Sequence, residues 1–305
     1  MNYASIIKEI GRGAKGARSM PREQAQALFG LILDGKVPDI ELGAILIALR
    51  MKGESLEELH GFLAALNERT RQVEVPPGPR CVLLPTYNGA RKQPNLMPLV
   101  ALLLAREGIP VLIQGRHDFE TRVSPFELLA ALGIQLERSL PDASAALANR
   151  RVACLRLDML ARGLDWLLGL RLTLGVRNSG HTLAKLLDPC RERSVRVIAV
   201  THPPYLDAMQ AVLETEKATA LLMRGTEGEA YAAPRRRPRL LGISAGQSTE
   251  QFAAAEFSGE ETEGISCSVE DNALLIRRML TGETPVPQPI LDQVTAIKHL
   301  ASSSL

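Results

Sequence analysis

Along the first 70 residues apolar side chains recur every three or four positions, and beyond them they gather into short unbroken runs. The first pattern is that of amphipathic helices. Ile6, Ile7 and Ile10 mark one stripe, and Ala25, Leu28, Phe29, Ile32 and Leu33 mark a second. Asp39 is placed to cap a third helix carrying Leu42, Ile45, Leu46 and Leu49, and Ser55 with Glu58 has the spacing of a capping box that opens a fourth. Pro76, Pro77, Gly78 and Pro79 end this region as a linker. The runs Cys81–Leu84, Val111–Ile113, Val152–Leu155, Val197–Val200 and Ala220–Met223 read as buried strands. Helical segments separate them, including Leu96–Arg106, Pro125–Leu132 and Tyr205–Glu214. This alternation predicts a mostly parallel sheet covered by helices. The fold class is therefore α/β, with a helical domain over 1–75 and an α/β domain over 76–305. Leu160–Leu187 interrupts the alternation with further helix signals at Leu164, Leu167, Leu168 and Leu170. His202, before Pro203 and Pro204, closes a strand in this reading, and Ala301–Leu305 reads as a frayed tail.

Composition narrows the class without choosing a function. A chain of 305 residues, 46% hydrophobic, can bury a large core and fits two domains. No apolar run approaches the roughly 18 residues of a membrane span, so a cytoplasmic protein with no membrane partner is expected. Cys81, Cys154, Cys190 and Cys267 are too widely spaced for a zinc or redox motif and read as reduced structural thiols. Aromatic residues make up only 4% of the chain, so base stacking has little to draw on.

The net charge of +2 averages unlike regions. Leu240–Ile276 contains no Lys or Arg and seven acids, a local charge of −7 that leaves +9 for the rest. Arg12, Lys15, Arg18 and Arg22 follow one another without an acid, +4 in a glycine-punctuated segment that reads either as a phosphate-tracking arm or as a solvated loop between helices. Arg171–Arg196 carries another net +4 that includes Arg177 and Lys185, and Arg235, Arg236, Arg237 and Arg239 follow Pro234 in a predicted loop. Arg177 and Lys185 serve equally well as caps of helix carbonyls. His181, one turn before Lys185, reads first as a core or capping histidine.

In an open α/β sheet, ligands sit beyond the carboxyl ends of the strands. The first such position here is Leu84-Pro85-Thr86-Tyr87-Asn88-Gly89-Ala90-Arg91-Lys92-Gln93, and the second is Leu112-Ile113-Gln114-Gly115-Arg116-His117. A third is Arg224-Gly225-Thr226-Glu227-Gly228-Glu229. The first turn has one glycine and is bulky and cationic, suited to a phosphate held by side chains. Glu227 and Glu229 are not adjacent, which makes them weak magnesium ligands.

These segments, with Leu174-Gly175-Val176-Arg177-Asn178 and Pro189, resemble the anthranilate phosphoribosyltransferases of glycosyltransferase family 3. The frame is kept and the polar middle is changed. In those enzymes the first turn is Gly-Thr-Gly-Gly-Asp, the second Lys-His-Gly-Asn-Arg, and adjacent acids in Gly-Leu-Asp-Glu hold magnesium. With Ile6-Ile7-Lys8-Glu9-Ile10-Gly11-Arg12-Gly13 the pattern is similar to the nucleic-acid-binding paralogues of these enzymes. That resemblance implies a homodimer that binds DNA and RNA through a basic groove with little sequence preference, no cofactor, and no parent activity. It also implies that the helical domain is completed by 160–190 and carries the dimer contact, for which Ile6, Ile7 and Ile10 would need a partner surface. The residues expected to meet phosphates are Lys8, Arg12, Lys15, Arg18, Asn88, Arg91, Lys92, Arg116, Arg122, Arg177, His181, Lys185, Arg235, Arg236 and Arg237. The alternatives are a phosphoribosyltransferase with an unidentified nitrogenous acceptor, using phosphoribosyl pyrophosphate and Mg2+ at Glu227 and Glu229, and an anion sensor without turnover.

Overall fold

The computed structural model describes residues 1–13, 15–201 and 203–302. His202 and the end of the predicted tail lie outside the described residues. In chain order the helices and strands begin with α1 (Tyr3–Ile10), α2 (Arg22–Leu33), α3 (Asp39–Lys52), α4 (Leu56–Arg69), β1 (Cys81–Thr86), α5 (Met97–Arg106) and β2 (Val111–Gly115). They continue with α6 (Pro125–Ala131), α7 (Leu140–Arg150), β3 (Val152–Arg156), α8 (Leu157–Leu160), α9 (Arg162–Gly169), α10 (Arg171–Leu174), α11 (Gly180–Leu183), β4 (Ser194–Val200) and α12 (Pro203–Thr215). The last are β5 (Ala220–Arg224), β6 (Arg236–Arg237), β7 (Leu240–Ser244), β8 (Gln247–Phe252), β9 (Ala255–Glu256), α13 (Val269–Thr281) and α14 (Gln288–Ser302). They fall into two compact units, Met1–Arg71 with Leu157–Pro189, and Gln72–Arg156 with Cys190–Leu305.

The helical unit forms where its apolar stripes predict. Leu28, Phe29 and Ile32 of α2 and Phe62 and Leu66 of α4 are fully buried, and the Phe29 and Phe62 rings stack with centroids 4.6 Å apart. The Ser55–Glu58 capping box is present, and Glu58 is fully buried, accepting from the Met20 amide at 3.0 Å and from Lys52 Nζ at 2.6 Å. Asp39 does not cap α3. Pro38 holds the N-cap position and Asp39 is the first helical residue, where its charge faces the positive end of the helix. The α2–α4 crossing leaves no room at Gly61, where a Cβ would meet the Arg22 carbonyl oxygen at 2.4 Å and Ala25 Cβ at 2.8 Å. Gly61→Ala is therefore expected to destabilise this unit by about 1–3 kcal/mol, which urea denaturation followed by circular dichroism would register; an unchanged midpoint would mean the crossing yields freely.

Ile6 and Ile10, expected to need a partner surface, are buried within the chain, on a helix that packs against α3. Among the apolar side chains of this unit that remain outside are Ile40 (86% exposed) and Met51 (78%) of α3 itself and Leu172 (79%) of α10.

In the second unit the seven-stranded sheet runs β3-β2-β1-β4-β5-β7-β8. The first five strands are parallel, each an apolar run, and β7 and β8 add an antiparallel edge. Ala245 (φ 51°) and Gly246 (φ 80°) turn that hairpin with two positive-φ residues, which matches the strand twist. The chain leaves β1 toward β2 and β3 and returns on its other side at β4, so the order reverses between β1 and β4. The ends of those two strands are where such a sheet offers a binding crevice. α13 and α14 close the core, and Ala301, expected in a frayed tail, is buried in α14 and accepts from the Arg80 amide at 3.0 Å. All four cysteines are free, and burial pushes the Cys154 thiol up to about 12, which leaves it inert at neutral pH. No helix among the described residues is long and apolar enough to cross a membrane.

Candidate functional site at the carboxyl ends of the strands

Beyond β1 the chain makes a turn in which successive amides point to one place. Gly89 has φ 65° and lies so close to the neighbouring loop that a Cβ would meet the Val123 carbonyl oxygen at 2.9 Å, while Ala90 and Val123 pair as a short bridge. The amides of Asn88 and Gly89 both donate to Glu229 Oε1 at 3.0 Å, and that of Tyr87 follows at 3.4 Å. The Thr86 hydroxyl donates to Glu229 Oε2 at 2.7 Å. Consecutive converging amides make an anion-binding concavity, and here the anion is a fully buried carboxylate of the same chain.

Past Ala90, whose amide donates to the Val123 carbonyl at 3.0 Å, the next two amides are used the same way. Arg91 N and Lys92 N donate to Glu227 at 3.3 and 2.9 Å. Both glutamates come from the tight turn after β5, in which Thr226 and Glu229 exchange backbone hydrogen bonds and Glu227 (φ 52°) and Gly228 (φ 92°) adopt positive φ. Gly228 is required by close approach, since a Cβ there would fall 2.1 Å from Asn88 Nδ2. The Thr226 hydroxyl donates to the Tyr231 carbonyl at 2.8 Å, and the buried Tyr231 hydroxyl donates to the Pro94 carbonyl at 3.0 Å. Burial, reinforced by the charges of Glu227 and Glu229, holds that hydroxyl far above its usual range, so it remains a neutral donor.

This arrangement does not fit magnesium. The carboxylate of Glu229 is occupied on both oxygens and sealed from solvent, and Glu227 is engaged by two amides. No group of three His, Cys, Asp or Glu among the described residues is placed to hold a metal ion.

The cationic side chains at this edge differ in how far they are spoken for. Those of Arg91 and Lys92 are exposed, with only their backbone committed to Glu227. Arg122 lies over the Phe119 ring at 5.1 Å and reaches the Gly89 carbonyl at 3.4 Å. Arg116 is paired with Asp118 at 2.7 Å, and Asn88 is buried. On the helical unit Lys8 and Lys15 are exposed, but Arg12 and Arg18 both pair with Glu9, at 2.5 and 3.8 Å. Glu9 lies just outside the acid-free stretch, so that segment is less positive than its sequence suggests. Arg177 and Lys185 are half-buried, and His181 Nδ1 lies 3.3 Å from the Asn178 amide, where it acts as a local cap.

The arginine loop carries the largest correction. Arg235 pairs with Glu263 at 3.1 Å, Arg236 with Glu256 at 3.2 Å and Arg239 with Glu250 at 3.9 Å. Arg237 pairs with Asp292 and lies over the rings of Phe252 and Phe257 at 5.3 and 5.5 Å. Strand β6 pairs antiparallel with β9 and brings arginines and glutamates together. Glu250, Glu256 and Glu263, three of the seven acids of the Leu240–Ile276 stretch, thus fold back on the arginine loop and offset its charge. A run of four arginines followed within thirty residues by five glutamates was the available signal.

Residues 4–70 match the model of the glycosyl transferase family, helical bundle domain. Over 296 residues the chain is 38% identical to the uncharacterized protein YbiB of Escherichia coli, covering 96% of this chain and 92% of that one. The anthranilate phosphoribosyltransferase of Thermus thermophilus has the same fold, with a TM-score of 0.78 at 24% identity over 100% of this chain and 90% of its own. The Saccharomyces cerevisiae enzyme, solved in complex with PRPP and Mg, aligns with a TM-score of 0.76 at 14% identity over 99% of this chain and 89% of its own.

Proposed function

Because the chain belongs to the family of Escherichia coli YbiB and is built on the anthranilate phosphoribosyltransferase-like fold, we propose that it binds nucleic acid on a scaffold that no longer performs phosphoribosyl transfer. The observation that carries this reading is the occupancy of the first turn. The amides that would approach a pyrophosphate are bonded to Glu229 and Glu227, whereas the side chains of Arg91 and Lys92 stand in solvent at the same edge. An anion meeting this edge is offered exposed, flexible cations, not a backbone cradle. Such cations bind a phosphate chain by charge and counterion release, without reading base edges. Both DNA and RNA are suitable partners.

A homodimer belongs to this proposal. Its interface is the face of α3 that carries Ile40, Ala44, Ile47 and Met51, spaced to lie on one side of the helix and bordered by Ile7 and Gly43. A second copy would cover these side chains and double the number of exposed cations.

The second reading, a phosphoribosyltransferase with an unidentified acceptor, draws on the fold shared with the PRPP- and Mg-bound yeast enzyme and on the persistence of converging amides in the turn. Titrating the protein in parallel with labelled single-stranded DNA and with phosphoribosyl pyrophosphate plus Mg2+, at two salt concentrations, separates the two. DNA binding that weakens with salt is expected, with no saturable binding of the pyrophosphate. Tight binding of the pyrophosphate alone would overturn the proposal.

A further inference from the structure

Two strands away from β1, a cavity of about 610 Å3 opens beside the end of β5. Leu206, Leu222, Leu241 and Ala254 give it an apolar lining, and three arginines also line it, Arg224, Arg236 and Arg239. Arg224 ends β5 with an exposed side chain that has no ion-pair or hydrogen-bond partner among the described residues. Arg236 and Arg239 are held by Glu256 and Glu250, but in these pairs every side chain is at least half exposed. A phosphate must displace a glutamate to gain either of these two, so Arg224 is the guanidinium free to bind it in bidentate fashion. Asp207 also lines the cavity, with no partner among the described residues, as does Gln210, whose amide NH2 donates to Glu214 and Ser248 at 2.8 and 3.0 Å. The carboxylate of Asp207 and the carbonyl oxygen of Gln210 are therefore available as acceptors.

From apolar lining residues, two available acceptors and an unpaired arginine among three, we infer that this cavity binds a nucleoside monophosphate. The base lies on the leucines, its exocyclic amino group meets Asp207 or Gln210, and its phosphate meets Arg224. An amino-bearing base such as adenine or cytosine is preferred over uracil, which offers no exocyclic amino donor. The volume is in the range of small-molecule sites. Gln93 and Glu227 also line the cavity, so it adjoins the turn whose Arg91 and Lys92 amides donate to Glu227, but the side chains of Arg91 and Lys92 do not line it. A strand carrying a 5′-terminal phosphate presents the same chemistry.

The test is calorimetric titration of the full chain with adenosine, cytidine and uridine monophosphates, with adenosine, and with inorganic phosphate. Adenosine and cytidine monophosphates are expected to bind, with adenosine and phosphate each weaker by about tenfold or more, an increment of about 1.4 kcal/mol. Arg224→Gln, which removes an exposed unpartnered group, should weaken the monophosphates by a similar factor, and Arg239→Gln, whose arginine is held by Glu250, by a smaller one. Arg91→Glu with Lys92→Glu should leave them unchanged, so this site can stand even if the nucleic-acid reading fails. Comparing 5′-phosphorylated with 5′-hydroxyl oligonucleotides identifies the source: an Arg224-dependent gain from the phosphate assigns the site to strand ends, and its absence assigns it to the free nucleotide. No monophosphate binding at millimolar concentration, phosphate binding as tightly as the nucleotides, or indifference to both arginine variants would overturn the inference.

Discussion

Glu229→Ala is expected to destabilise the α/β unit by about 3 kcal/mol and to make its stability depend on added phosphate. The carboxylate is fully buried and accepts from the Thr86 hydroxyl and from the amides of Asn88 and Gly89 at 2.7–3.0 Å. Removing it strands those donors away from water, and each orphaned donor costs about 1–3 kcal/mol before relaxation. For a unit of this size that corresponds to a fall in melting temperature of roughly 6–12 °C. The vacated concavity keeps its converging amides, so phosphate, sulfate or pyrophosphate can take the place of the lost carboxylate. An anion at a hundred times its dissociation constant restores about 2.7 kcal/mol. Thermal melts of the parent and the variant, with and without 50 mM phosphate at constant ionic strength, are the measurement. A variant that melts with the parent would show that the carboxylate contributes little. A variant that is destabilised yet indifferent to every anion would show that the turn collapses without it, and the idea of a built-in anion would be lost.

The sequence carried much of this architecture and little of that interaction, for reasons visible at particular residues. Strands such as Cys81–Thr86 and Val111–Gly115 are buried on both faces, so they appear as continuous apolar runs that no exposed helix would tolerate. The Ser55–Glu58 box is local chemistry and forms as read. By contrast α7 packs mainly through Ala143, Ala146 and Leu147, too few large side chains to set a period, and β8 is a polar edge strand without an alternating apolar face. The turn after β1 was correctly legible as bulky and cationic. Its occupant was not, because Glu229 arrives from a different strand and nothing near Thr86 announces it. The arginine loop misled in the opposite direction. Charges counted along the chain say nothing about which acids the β6–β9 pairing brings alongside.

That distinction between counted and available charge sets the last expectation. Arg91→Glu combined with Lys92→Glu should weaken nucleic-acid binding strongly and equally for all sequences, whereas Arg235→Glu combined with Arg236→Glu should weaken it much less. The first pair has exposed side chains free to meet phosphates. The second is already neutralised by Glu263 and Glu256, so a phosphate must displace a glutamate to gain the contact. Each phosphate contact contributes a slope of about −0.7 in log affinity against log salt for single strands and about −0.9 for duplex DNA. Losing two contacts should therefore flatten the slope by about 1.4 on a single strand, and the arginine-loop variant should change it by well under half of that. Glu256→Gln with Glu263→Gln tests the same mechanism from the other side: freeing Arg236 and Arg235 should raise affinity and steepen the slope. Fluorescence anisotropy at four salt concentrations reads all three variants. Equal losses from both charge reversals would mean that the glutamates do not screen the loop. A preference of more than about 3 kcal/mol for one base sequence, the scale of strong specificity, would mean that contacts to bases, and not exposed cations on a phosphate chain, hold the complex together.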